Sequence, residues 1–318
     1  MAENQDVNGK SEEIKNEDEK LKDKLENHRL AGKISKEVSP KAKDLIKVGA
    51  KLYDICETIE EMILEKVGEK GGLAFPCNVS INNIAAHYSS PPEDKTIIKE
   101  NDIVKVDYGV HIDGYISDYA FSISFNPELE NLCLASSEAV KAVLDAAGPG
   151  IKTNELGKIA EEKIKSFGYI PIIDLSGHLL EPYELHGKKT IPNIALEKGE
   201  KLEENEVYAM ESFASTGTGR IHEMSVCYIY NVVPARTFPR TKPARKILKV
   251  IGNKYKTLPF TKRWLAKDVG FGYNMGLREL TRLKLLHEFH PLADEKGSFV
   301  SQTEQSFIVT SDGIEIIN

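Results

Sequence analysis

From about Ile14, the apolar residues Leu21, Leu25, Ala31, Ile34, Val38, Leu45 and Ile46 recur at spacings that fall along one face of a helix. Glu and Lys fill the positions between them, so the other face is solvated. Pro40 is expected to break or kink this run. Residues 1–13 offer almost nothing to bury and are expected to form a disordered, charged tail. A second helix is predicted over 52–67, stopped by Gly68 and the Gly71-Gly72 pair. The period then drops to two. Residues 103–110 and 115–125 alternate as strands about Asp113-Gly114, a two-residue hairpin signal. Helices are predicted over 128–147 and 153–167, the second with a stripe of Leu156, Ile159, Ile164 and Phe167 ended by Gly168. Strands over 206–215 and 225–233, short helices over 242–256, 261–267 and 274–288, and a strand pair over 300–309 and 314–317 complete the chain. Strands, then helices, then strands predict an α+β fold, with 14–318 as a single domain.

With 318 residues and 41% hydrophobic content, the chain is able to build a sizeable core. The net charge of −7 argues against wholesale nucleic-acid binding. It is unevenly spread: residues 235–301 hold 15 Lys/Arg against 5 Asp/Glu, leaving 27 against 44 elsewhere. A basic segment on an acidic body suggests a distinct surface for an anionic partner, although a charge run is more often a solvated face. Cys56, Cys77, Cys133 and Cys227 are scattered and form no CxxC motif, the pattern of a reduced intracellular protein. With no signal-peptide core and no membrane-length apolar run, a cytoplasmic location is expected, with neither membrane nor DNA as partner.

Chemistry begins at the hairpin. With Asp113-Gly114 as its turn, Asp107 faces Ala120 and Asp118 faces Gly109. The two carboxylates then share a face as diagonal neighbours, with Cα atoms roughly 7–8 Å apart. Small residues opposite each Asp leave room between them. Such a pair converges on one cation, or on two about 3.5–4 Å apart. The plainer alternative is two solvated strand residues. Glu211 shares strand parity with Val207, Ala209 and Phe213, and a carboxylate on an apolar face needs a cation or donors. Glu304 lies on the parity of Val300 and Ile308. His87 follows an apolar stretch, and His178 and His186 sit in one glycine-led loop. Four carboxylates with a histidine suit Mn, Fe, Co or Zn rather than a sulfur-rich structural zinc site. GxGxxG, GxxxxGK[ST], GxSxG and HExxH are all absent.

The segments GLAFPCNVSINNIAAHY, IVKVDYGVHIDGYISDYAFSI, LSGHLLEPYELHG, EVYAMESFASTGTG and SQTEQSFIV carry a resemblance. His87 to Asp107 is 20 residues, Asp107 to Asp118 is 11, and His178 to Glu211 is 33. Over 27–318 the chain resembles the type 2 methionine aminopeptidases, metallopeptidases of the pita-bread fold, and the archaeal members most. The resemblance implies a winged-helix-like helical insertion at about 235–299. It implies hydrolysis of the initiator methionine of nascent polypeptides through a metal-bridged hydroxide. It also implies two divalent ions held by Asp107, Asp118, His178, Glu211 and Glu304, with Asp118 and Glu304 bridging. Glu211 would move protons. His87 and His186 would contact substrate near the scissile bond, and Phe75, Leu185 and Phe289, together with His222, would border the methionine pocket. The basic insertion would be a candidate ribosome contact.

Three departures stand out. Glu304-Gln305-Ser306 replaces the usual Glu-His-Thr, Gly187 replaces an Ala, and Tyr119 replaces a smaller residue. Two other readings stay open: an X-Pro peptidase using the same ligand types, and a non-catalytic binding protein, which would be expected to have lost ligands.

Overall fold

The computed structural model describes residues 3–235 and 237–318, with side chains from Glu17 onward. Among the described residues seven α-helices lie in chain order: α1 (Glu3–Leu45), α2 (Leu52–Leu64), α3 (Glu130–Ala146), α4 (Thr153–Ser166), α5 (Lys242–Val250), α6 (Lys262–Val269) and α7 (Tyr273–Arg282). The larger sheet is antiparallel. It is built from β1 (Gly71–Ile81), β3 (Ile103–Ile112), β4 (Tyr115–Ser124), β6 (Ser176–Leu179), β7 (Thr190–Pro192), β8 (Val207–Ser215) and β14 (Val300–Val309). Their order is β1-β3-β4-β14-β8-β6-β7, with β5 (Ile170–Pro171) beside β8 and β15 (Ile314–Ile316) beside β14. Short strands β2 (Ile84–Ala86), β9 (His222–Glu223) and β13 (Leu292–Ala293) form a second sheet, and β10 (Ile229–Val232), β11 (Phe260–Thr261) and β12 (Leu286–Phe289) a third.

Strand parity decides what lies on each face of the large sheet. Val104, Val106, Tyr108 and Val110 of β3 turn toward Ile34 and Val38 of α1 and Ile55, Ile59 and Ile63 of α2. Tyr208 and Met210 of β8, with Phe307 and Val309 of β14, turn toward α3 and α4. The helices therefore cover one face, and the alternate residues, including Asp107, Glu211 and Glu304, look out from the other.

Helix α1 runs through Pro40 and ends five residues later, where a break or kink was expected. Loss of one N–H bond near a helix end is offset by burial of Val38, Ala42 and Ile46. The tail expected over 1–13 falls on Met1 and Ala2, which lie outside the described residues, and on the first turns of α1, whose side chains also lie outside them. The α+β class and the β3–β4 hairpin follow the expectation. Asp107 pairs with Ala120 and Gly109 with Asp118. Several elements differ, among them β6, which puts His178 on a strand where a glycine-led loop was expected. The helix expected over 274–288 ends at Arg282, and β12 follows, because β12 gains β10 as a ladder partner. Strand β1 was not foreseen. Gly71, Gly72 and Pro76 read as breakers, and β-bulge irregularities between Leu73 and Asn78 blur its period. Between α5 and β11 a π-type turn spans Ile251–Tyr255. Helices α5–α7 share a core with Tyr230, Phe260 and Leu286.

Candidate metal centre and its cavity

The ladders align two rows of side chains across the large sheet. In the first, Asn78 (β1) opposes Asp107 (β3), Asp107 opposes Ala120 (β4), Ala120 opposes Glu304 (β14), and Glu304 opposes Glu211 (β8). In the second, two residues along each strand, Gly109 opposes Asp118, Ser306 opposes Ala209, and Ala209 opposes His178 of β6. Ala120, Ser306 and Ala209 are small, so the five long polar side chains meet over them rather than being walled apart. His178 Nε2 lies 3.7 Å from Asp118 Oδ2 and 3.9 Å from Glu304 Oε1.

The cluster is strongly buried. Asp118, His178 and Glu304 are 3%, 4% and 2% exposed. Burial pushes the Asp107 carboxyl up to about 7. Burial also pushes Asp118, Glu211 and Glu304 well above the carboxylate range, and the neighbouring carboxylates push them further. Burial, then His186, drives His178 far below the usual imidazole value. One donor serves three acids: Gln302 Nε2 lies 3.3 Å from Asp107 Oδ2 and Glu211 Oε2, and 3.4 Å from Glu304 Oε2. Asp107 Oδ1, Asp118 Oδ1, His178 Nδ1 and Glu304 Oε1 are buried with no hydrogen-bond partner. The three orphaned carboxylate oxygens, so close together, lack positive charge. Asp118, His178 and Glu304 each offer an atom within 4.8 Å of the others'. The residues present therefore fit divalent cations, with an oxygen-rich, single-nitrogen donor set.

These groups floor a cavity of about 290 Å³. Asp107, Asp118, His178, Glu211 and Glu304 line it, as do His87, His186, Phe75, Leu185 and Phe289. His87, at φ 65°, follows β2. Its Nδ1–H donates to the His290 carbonyl at 3.2 Å, and its ring meets the edge of Phe289. The His186 ring stands edge-on to that of His178, with centroids 4.6 Å apart. Burial holds both His87 and His186 down at about 4, with nearby imidazoles adding to the effect. Both are neutral near pH 7, each with one donor and one acceptor nitrogen. His222 is not brought in. It sits exposed on β9, paired with Ala293 away from the cavity.

Several residues of the cluster and its cavity were missed from the sequence. Gln302 lies two positions before Glu304, so parity alone could have marked it. Asn78 was hidden by the bulge. Ile229 and Pro259 come from the third sheet and its approach, where no local signal points to a site. The three departures also find their places. Gln305 has the parity of the helix-facing residues, and its Nε2 donates to the Asn318 carbonyl. Tyr119 accepts a hydrogen bond from Ser39 of α1. A Cβ on Gly187 would lie 2.8 Å from the Leu179 carbonyl oxygen, so glycine allows this close approach. Ser306 Oγ and the Asn318 side chain hold the backbone of Asp118. Asp118 N–H donates to Ser306 Oγ at 2.8 Å, and Asn318 Nδ2 donates to Asp118 O at 2.6 Å.

The model of metallopeptidase family M24 matches residues 26–234. A methionine aminopeptidase of Thermococcus onnurineus is 40% identical over 288 residues, 90% of this chain and 96% of that one. Methionine aminopeptidase 2 of Schizosaccharomyces pombe is 34% identical over 310 residues, 93% of this chain and 73% of that one. Among solved structures, a thermophilic Arx1 superposes with a TM-score of 0.83 at 21% identity, covering 93% of this chain and 91% of that one. A methionine aminopeptidase of Thermotoga maritima gives 0.67 at 18%, covering 93% and 96%. At these identities the two structures speak to the fold alone.

Proposed function

This chain belongs to metallopeptidase family M24, among its methionine aminopeptidases, and on that premise we propose that the buried carboxylate cluster is the centre at which it removes the N-terminal methionine of nascent polypeptides. Its fold is the α+β pita-bread fold of that family, and residues 235–299 form the type 2 insertion on a single catalytic domain, 14–318. The observation that carries the reading is the set of orphaned acceptors on Asp107, Asp118 and Glu304, with His178 Nε2 facing them, at the floor of a small, partly aromatic cavity.

Asp107, Asp118, His178, Glu211 and Glu304 would hold two divalent ions, for which Co, Mn, Fe and Zn all suit the donors. When bound, the ions supply Lewis-acid polarisation of the scissile carbonyl and acidify water for attack. The protein side supplies the rest. Phe75, Leu185 and Phe289 receive the methionine side chain, whose flexible thioether fills an apolar wall well. About 290 Å³ lies at the small end of ligand pockets and suits one side chain. His87, with Nδ1–H given to His290 O, keeps Nε2 as an acceptor for the substrate. His186 stabilises charge developing on the carbonyl oxygen. Glu211, at the cavity floor, takes a proton and passes it to the leaving amine. The carboxylates receive the free α-amino group, which makes the reaction exopeptidic.

The exposed Lys and Arg side chains of the insertion support a contact with ribosomal RNA, and a cytoplasmic location beside emerging chains goes with that reading. No helix among the described residues is long and apolar enough to cross a membrane. The deciding experiment is release of methionine from a Met-Ala-Ser peptide, with an Ala-Pro peptide and chelator as controls. The expected result is metal-dependent cleavage of the first substrate only, abolished by Asp107→Ala. Full activity of Asp107→Ala, or cleavage of Ala-Pro alone, would overturn the reading.

A further inference from the structure

Among the described Lys and Arg side chains between 235 and 301, Arg263 alone is fully buried, at 1% exposed. It lies in the first turn of α6, yet its partners belong to the catalytic half. Nη1 donates to Glu60 Oε2 at 2.6 Å and to Glu57 Oε1 at 2.5 Å, and Nη2 donates to Glu60 Oε1 at 2.9 Å. Nε donates to Ser90 O at 3.1 Å, and Nη2 reaches Ser89 Oγ at 3.3 Å. The Trp264 indole N–H also donates to Glu60, at 2.7 Å. A forked guanidinium on a buried carboxylate is directional, and a lysine cannot reproduce it.

Glu60 has a further acceptor duty, because Cys77 N–H donates to its Oε1 at 3.0 Å. Cys77 falls in the irregular stretch of β1 where Phe75 pairs with Gly109 and Asn78 with Asp107. Residues three apart on a regular strand point to opposite faces. Here both Phe75 and Asn78 line the cavity. The bulge turns both inward, and Glu60 receives the N–H within it. Ser89, tethered by Arg263, in turn donates its backbone N–H to the His87 carbonyl. The insertion that carries Arg263 also supplies Pro259 and Phe289 to the cavity wall.

We infer that the Glu60–Arg263 pair is a positioning device for substrate selection. It locks the β1 bulge, the segment after His87 and the insertion wall into one rigid methionine pocket, without touching substrate or the metal cluster. This rests on the cavity being the methionine pocket.

The test is steady-state kinetics of Arg263→Lys and Glu60→Gln on Met-Ala-Ser and Leu-Ala-Ser peptides, with cation affinity measured by calorimetry. Both changes keep polarity and approximate size. Loosened walls should raise KM for the methionine peptide by about tenfold or more, equivalent to about 1.4 kcal/mol. kcat and cation affinity should stay within about threefold, and the Met-over-Leu preference should fall. In the double variant the losses should be far from additive, since either change alone breaks the pair. Unchanged KM and preference in a folded variant would overturn the inference, as would a kcat loss at constant KM, or full additivity. If Arg263→Lys does not fold, Glu60→Gln decides by the same readouts, because it leaves an oxygen for Cys77 N–H. Wild-type protein inactive on Met-Ala-Ser would instead count against the functional reading.

Discussion

Removing one negative charge from the cluster should stabilise the metal-free fold while weakening its response to cations. Asp107→Asn is the sharpest case. In the folded, metal-free chain, burial raises Asp107 from 3.8 to about 7. The folded state keeps this proton up to about pH 7, whereas the unfolded chain releases it near 3.8. Stability from this group is therefore complete at low pH and lost as pH rises through that window. At about 1.4 kcal/mol per unit, the shift makes metal-free protein about 4 kcal/mol less stable at pH 8 than at low pH. About two-thirds of that loss opens between pH 5 and 8. Asparagine carries no charge, so metal-free Asp107→Asn should be more stable than wild type at pH 8 by a few kcal/mol, and by much less at pH 5. Bound cations reverse the order. They stabilise wild type by about 4 kcal/mol at a thousandfold excess over Kd, and the variant, lacking a ligand, by less. Urea unfolding followed at Trp264, the only tryptophan, with chelator or Mn²⁺ at pH 5 and 8, reads both effects. A metal-free variant no more stable than wild type at pH 8 would refute the buried-charge reasoning.

Two more outcomes are expected. His28 is buried, its Nδ1–H given to Ile116 O at 2.7 Å and its Nε2 without a partner. Burial lowers its pKa to about 4. Its stabilising share is full above pH 6.5 and lost as pH falls toward 4, up to about 3 kcal/mol. Wild type should therefore lose more stability than His28→Gln between pH 7 and 4.5, measured by urea midpoints, and equal losses would exclude the effect. Gln305→His, which restores the family's residue, should leave cation affinity by calorimetry nearly unchanged. A side chain that oriented a ligand would instead move it about 10–100-fold, but Gln305 faces away from the cluster and bonds Asn318.

The candidate site residues were legible in the sequence because their rules are local. The Asp113-Gly114 turn sets the register that puts Asp107 and Asp118 on one face, and period-two alternation sets Glu211 and Glu304 against apolar neighbours. A carboxylate on a buried parity needs a counter-charge wherever its strand goes. Which strands become neighbours is not local. Only the order β3-β4-β14-β8-β6 turns five separate polar positions into two rows. It is the packing of Ala120, Ser306 and Ala209 between them that lets the rows converge. The pocket was less legible still. β1 carries Phe75 and Asn78 through a bulge that erases its period, and β12 takes its strand form from β10. Arg263 looked like one more member of a solvated basic run. Its role depends on Glu60, some 200 residues away, a partner that only burial of both groups in one core could select.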